Sequence, residues 1–111
     1  ITGRLEAAKS IRADRYIDAL IKRDEINRSL EELLGRYDAV LCLSSAGPAP
    51  EGFETTGSAI FNGLWTYLGV PCVSLPKLTV RGMPMGVQLV GMAGDEGRLL
   101  RTAKWLDEFL T

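Results

Sequence analysis

Residues 61–91 read FNGLWTYLGVPCVSLPKLTVRGMPMGVQLVG, and the fold is decided there. The segment 59–68 carries Ile60, Leu64 and Leu68 at helical spacing, flanked by Phe61, Trp65 and Tyr67. Gly69 and Pro71 stop it. Two β-rich runs follow, Cys72–Leu75 and Met85–Val90, joined by residues 76–84. In the second run Val87, Leu89 and Gly91 alternate with Gln88 and Val90. This predicts a hairpin in which Gly82 supplies a positive φ and Gly86 allows close backbone approach. Such a hairpin needs something to cover it.

Downstream, Asp95 after Gly94 is expected to cap a last helix, its carboxylate accepting from the first free amides. Leu99, Ala103, Leu106 and Leu110 would be that helix's buried stripe. Upstream, Ala39–Leu43 (AVLCL) is a short apolar run, read as a strand buried on both faces. Residues 44–57 hold two prolines and three glycines and form a loop. At about 14 residues it reaches the length at which loops are usually functional or disordered. From Arg4 to Leu34 the pattern is helical with a break near Ser10. Ile17, Leu20 and Ile21 share one face, as do Ile26, Leu30, Leu33 and Leu34 further on. Gly35 is expected to end this helix with φ > 0.

The order helix, strand, helix, hairpin, helix gives an α/β class with at least three strands. We read a single domain over 1–111, with a helical lead-in over 1–36 and the strand, loop, helix, hairpin and helix over 37–111. A chain of 111 residues buries roughly 65% of its unfolded surface, enough for a modest core. Hydrophobic residues at 46% and charged residues at 24% argue against disorder. Thirteen basic and 14 acidic residues give a net charge of −1. With no basic block, nucleic acid is not an expected partner. Cys42 and Cys72 each sit in an apolar run and read as buried free thiols. With no histidine and no Cys-x-x-Cys, no metal site is expected. No apolar run approaches the roughly 20 residues of a membrane span, so no membrane partner is expected. The default address is the cytoplasm.

The stretch resembles the C-terminal part of the amidase signature enzymes, which hydrolyse or transfer amide groups. The matching positions are Gly69, Val70, Pro71, Ser74 and Pro76, then Gly82, Pro84, Gly86, Gln88 and Gly91. GDEGRLLRTAKWLDEFL is similar to that family's closing helix, and YDAVLCLSSAGPAPEG to the strand and loop before the hairpin. The resemblance covers Ile1–Leu110, most specifically from Tyr37 onward. It implies that these strands belong to a larger mixed sheet between helical layers. Family members use a catalytic serine, a second serine acting through a cis peptide, and a lysine, all from upstream regions. No Gly-Gly-Ser-Ser-Gly-type stretch occurs in these 111 residues, and the chain opens on Ile1 and not Met. The chain therefore reads as the non-nucleophilic end of an amidase, with no catalytic residue of its own.

Other candidates fall to their chemistry. Ser44-Ser45 lacks flanking glycines for an oxyanion site and a partner base, and reads as a strand end. Lys77, beside Arg81 in the hairpin connection, is expected to be solvated. Gly82-Met83-Pro84-Met85-Gly86 precedes a strand, not a helix N-terminus, so a hairpin turn is preferred over a phosphate loop. Gln88, alone among apolar residues, must be hydrogen-bonded if buried. The resemblance makes Phe61, Asn62, Trp65 and Thr66 one wall of an acyl-side substrate pocket. Phe61 and Trp65 would present an apolar surface, with Asn62 and Thr66 a polar stripe beside it. The loop 48–56 is a second candidate wall.

The leading expectation is thus the C-terminal segment of an amidase signature hydrolase that cleaves a carboxylic amide C–N bond by serine acyl transfer, without metal or cofactor. Its partners would be the N-terminal remainder of the same enzyme, a small-molecule amide, and a second copy in a homo-oligomer. The alternatives are a stand-alone, non-enzymatic interaction module and, third, a segment of an amidotransferase subunit.

Overall fold

The computed structural model describes residues 2–110. Two helices open the chain, α1 (Thr2–Lys9) and α2 (Ala13–Leu34), separated at the expected break near Ser10. The strand β1 (Val40–Leu43) follows, and after a loop come α3 (Ile60–Leu68), β2 (Cys72–Val80), β3 (Met83–Val90) and α4 (Glu96–Phe109). The strands form one sheet in the order β1-β3-β2, and both pairings are antiparallel.

The register assigns the faces. Val87 and Leu89 of β3 lie opposite Leu43 and Leu41 of β1 and Leu75 and Val73 of β2. Opposed residues in an antiparallel pair share a face, and this face receives α4. Leu99, Ala103 and Leu106 pack there with Leu89, joined by Ala39, Val73 and Leu75. Gly91 makes that packing possible, because a Cβ on it would lie 3.0 Å from Leu99 Cβ. The opposite face carries Val90 and Gln88, with Val40 and Cys42 on one side and Cys72 and Ser74 on the other. There α2 and α3 pack through Leu30, Leu34 and Leu68, with Ile26, Val40, Trp65 and Val70 against them. Helices thus lie on both faces of the sheet.

Gly69 ends α3 in the left-handed region, at φ 72°, and its amide donates to Trp65 O. The α3 C-terminus is tied to α2 by Asn27 Nδ2 donating to Leu68 O at 3.1 Å, and by the Tyr67 hydroxyl donating to Ala19 O. Pro71 O accepts from Gly91 N at 3.0 Å, closing the base of the hairpin.

Several sequence expectations are corrected. Gly35 is right-handed, at φ −69°; α2 unwinds through amides of Gly35, Arg36 and Tyr37 that still reach Glu31 and Leu33 carbonyls, so no left-handed residue is needed. β2 runs on to Val80, past the expected loop start at Pro76. A register shift between Leu75 and Leu78 absorbs Pro76 and Lys77, and such bulges tolerate a residue without an N–H. The turn shrinks to Arg81 and Gly82, both at positive φ (53° and 78°), as a two-residue hairpin requires. β1 is an edge strand and Leu41 is exposed, so it is not buried on both faces. Leu110 is exposed, as are Ile17 and Ile21 of α2 and Ile60 and Leu64 of α3, because no element among the described residues covers them. The Asp95 carboxylate makes no cap bond; it is drawn to Arg98 Nε at 2.8 Å instead.

Candidate functional site

At the loop end of the sheet, on the α3 side, apolar contacts give way to a polar cluster. Gln88 is 4% exposed, its side chain turned under the first turn of α3. Its Nε2 donates at 3.1 Å to three oxygens: Leu43 O of β1, Phe61 O of α3, and Asn62 Oδ1. Asn62 in turn donates from Nδ2 to Ser44 O at 3.0 Å. Ser44 N donates to Gly86 O at 2.9 Å, and Ser44 Oγ meets Ser74 Oγ at 2.6 Å. These two hydroxyls occupy the space over Gly86, where a Cβ would stand 2.5 Å from Ser74 Oγ and 2.6 Å from Ser44 Oγ. A polar strip therefore runs Ser74, Ser44, Asn62, Gln88, drawing on β2, the residue after β1, α3 and β3.

The four residues expected to form a pocket wall lie in the two helical turns above this strip. Phe61 is half-buried; Asn62 joins the polar cluster. Trp65 is half-buried against Leu30, Leu34 and Leu68 between α2 and α3, and Thr66 is exposed. The loop 48–56 belongs to a neighbouring concavity of about 420 Å³, bounded by residues 45–50 and 56–58. Within it Ser45 Oγ donates to Gly47 O at 2.7 Å, so this hydroxyl is engaged in turn formation. A second cleft, about 450 Å³, lies at the opposite end of β1 between Asp38 and the α4 residues Arg98, Arg101 and Trp105, away from the cluster.

The remaining motif residues have structural places. Pro76 sits in the bulge, Gly82 in the hairpin turn, and Pro84 opposite Thr79 in β3. Lys77 is not solvated as expected: its side chain is 19% exposed and its Nζ lies 2.7 Å from Asp107 Oδ1, tying the bulge to α4. Both thiols are free, but neither is buried as expected: Cys42 is half-buried, and Cys72, on edge strand β2, is exposed. Partial desolvation pushes the Cys72 thiol up, and Cys42 adds a smaller push in the same direction. No group of three or more His, Cys, Asp or Glu that could hold a metal ion occurs among the described residues. No helix among them is long and apolar enough to cross a membrane.

Sequence alone singled out Gln88 but not its partners, nor the Ser44–Ser74 contact. The available signal was one polar residue at the end of the 39–43 run and one inside each later run, Ser44, Ser74 and Gln88, and only the register brings them together.

No protein-family model matches the chain. A glutamyl-tRNA(Gln) amidotransferase subunit from Treponema denticola is 29% identical over 97% of this chain and 24% of its own length. Its counterpart in Desulforamulus reducens is 32% identical over 84% of this chain and 21% of its own. Among solved structures, an amidase superposes with a TM-score of 0.82 at 31% identity, over 96% of this chain and 27% of that one. The chain belongs to the amidase signature family. It corresponds to a C-terminal segment, spanning about a quarter or less of the curated relatives' length. A glutamyl-tRNA(Gln) amidotransferase subunit from Thermotoga maritima shares the fold less closely, with a TM-score of 0.68 at 29% identity. It covers 90% of this chain, which spans 23% of that one. The α/β arrangement of a strand and a hairpin under helices is thus that of the amidase signature enzymes.

Proposed function

We propose that this chain is the part of an amide hydrolase that builds a substrate wall and supplies no nucleophile. The observation that carries this reading is the polar strip under α3, which presents Phe61 and its neighbours from the end of the sheet. Phe61 and Trp65 would give the wall its apolar surface, and Asn62 and Thr66 its polar edge, against the acyl part of a carboxylic amide. The reaction would be acyl transfer through a serine ester that water resolves, with the nucleophile, the second serine and the lysine supplied by the remainder of the enzyme. That remainder is the proposed partner of the segment, together with a small-molecule amide and a second copy of the enzyme. Neither a metal nor a cofactor enters this scheme, and its place would be the cytoplasm.

A second reading is favoured by the curated relatives, which are named amidotransferase subunits. Both readings share the first half-reaction, release of ammonia from an amide. Incubating the full-length gene product with acetamide, benzamide and glutamine separates them. Ammonia released from the simple amides supports the hydrolase. Release from glutamine alone supports the amidotransferase, and release from none overturns both.

A further inference from the structure

The start of α3 has little of its own to hold it. Ala59 stands at the N-cap and makes no side-chain cap bond, the first amide is met only by a long 3.3 Å bond to Ser58 Oγ, and the helix is reached from a loop rich in proline and glycine. What fixes this end is the pair of carboxamides beneath it. Gln88 presents one NH₂ group, with two hydrogens, to three oxygens. Reversing that amide would set its oxygen against all three, so only one orientation is allowed. Asn62 is constrained the same way, because Oδ1 must accept from Gln88 while Nδ2 donates to Ser44 O. Both ends of the Asn62 carboxamide are thus already engaged, and the carbonyl of the preceding Phe61 is held as well.

We propose that Asn62 is a positioning residue: clamped between Gln88 and Ser44, it fixes the first turn of α3 and so sets where the Phe61 ring stands. The inference rests on the reading of α3 as a substrate wall and narrows it: Asn62 shapes that wall through its bonds to Gln88 and Ser44, and Thr66 is left as the polar edge that meets the substrate. Substrate specificity then depends on a buried glutamine that no substrate touches.

The test uses the full-length gene product, with kcat and KM measured separately for acetamide and benzamide. Asn62→Ala and Gln88→Leu should each shift the ratio of the two kcat/KM values by roughly 10-fold, the range in which pocket shape discriminates. The double variant should shift it no further, since both changes release the same turn. Gln88→Glu should shift the ratio at neutral pH and recover towards wild type in acid, where its protonated carboxyl can donate again. Asn62→Asp, which keeps the acceptor for Gln88 and loses the donor to Ser44, should shift the ratio in the same direction and serves where Asn62→Ala does not fold. A rise in KM for both amides in Asn62→Ala, with the ratio untouched in Gln88→Leu, would make Asn62 a direct substrate contact and overturn the proposal. Effects that multiply in the double variant would do the same. Should the wild type act on neither amide, the wall reading fails, and the clamp is judged by hydrogen exchange of the Gln88 side-chain amide. Asn62→Ala should then speed that exchange; an unchanged rate would overturn the clamp itself.

Discussion

At the scale of single residues, Gln88 shows how a buried polar group is made tolerable. An unpaired amide in a strand that is otherwise apolar would cost about 1–3 kcal/mol, and three acceptors answer it. Gln88→Leu removes the donor and leaves Leu43 O, Phe61 O and Asn62 Oδ1 short of a partner. It should therefore destabilise the protein by about 1–3 kcal/mol, read from the urea midpoint; an unchanged midpoint would mean the bonds contribute nothing. The need for partners was legible in the sequence, because a lone glutamine among valines and leucines must find them. Their identity was not, since they lie 45, 27 and 26 residues away and meet only through sheet register. Cys72 is a smaller case. Its thiol is held above the ordinary range, chiefly by desolvation, so the folded chain keeps its proton to higher pH than the unfolded chain. The contribution to stability is intact below the ordinary thiol range and is lost as pH rises from there through the raised value of the folded chain. Alkylation of Cys72 in the folded protein should accordingly lag behind a model thiol at mildly alkaline pH; equal rates would contradict the shift.

At the scale of elements, the hairpin was read correctly in kind and wrongly in length. Proline removes a ladder donor, so Pro76 reads as the end of the first strand. The bulge at Pro76-Lys77 lets the ladder resume at Leu78 and carries it to Val80. The turn then falls on Arg81-Gly82, and Arg81 adopts φ 53° with a side chain that disfavours it. Arg81→Asn places a residue suited to that conformation ahead of Gly82 and should raise stability by about 0.5–1 kcal/mol. A drop in melting temperature would show that the Arg81 side chain makes a contact worth more than the strain. Helix existence was plain from periodicity, and so was the stop at Gly69, whose left-handed conformation the structure adds. The positions of the ends at Gly35 and Asp95 were legible too, but not their geometry, since local capping rules lost to continued right-handed turns in one case and to Arg98 in the other. The candidate wall was legible only as a run of suitable side chains, while the polar strip that sets its height needed the fold.

At the scale of the whole molecule, the numbers describe a slab. Its extents are 49 × 42 × 16 Å and its radius of gyration 16.7 Å, against about 13 Å for a compact chain of this length. It exposes 8446 Å², where a compact monomer of 12.1 kDa exposes about 6000 Å². The excess is several times the roughly 800 Å² that each partner gives to a standard complex. Much of it is apolar, including Ile17 and Ile21 on α2, Leu64 on α3, and the stacked Trp105 and Phe109 on α4. Expressed alone, the 111-residue chain should self-associate or bind an apolar dye. Clean monomers at high concentration without dye binding would show that these faces need no cover. The measurement that bears most directly on the central claim is complementation. The upstream remainder of the gene product, expressed without these residues, should release no ammonia from an amide substrate of the full-length protein, and neither should the 111-residue chain alone. Mixing or co-expressing the two should restore turnover. Full activity in the remainder alone, or turnover by this chain alone that Ser44→Ala or Ser45→Ala abolishes, would contradict the account.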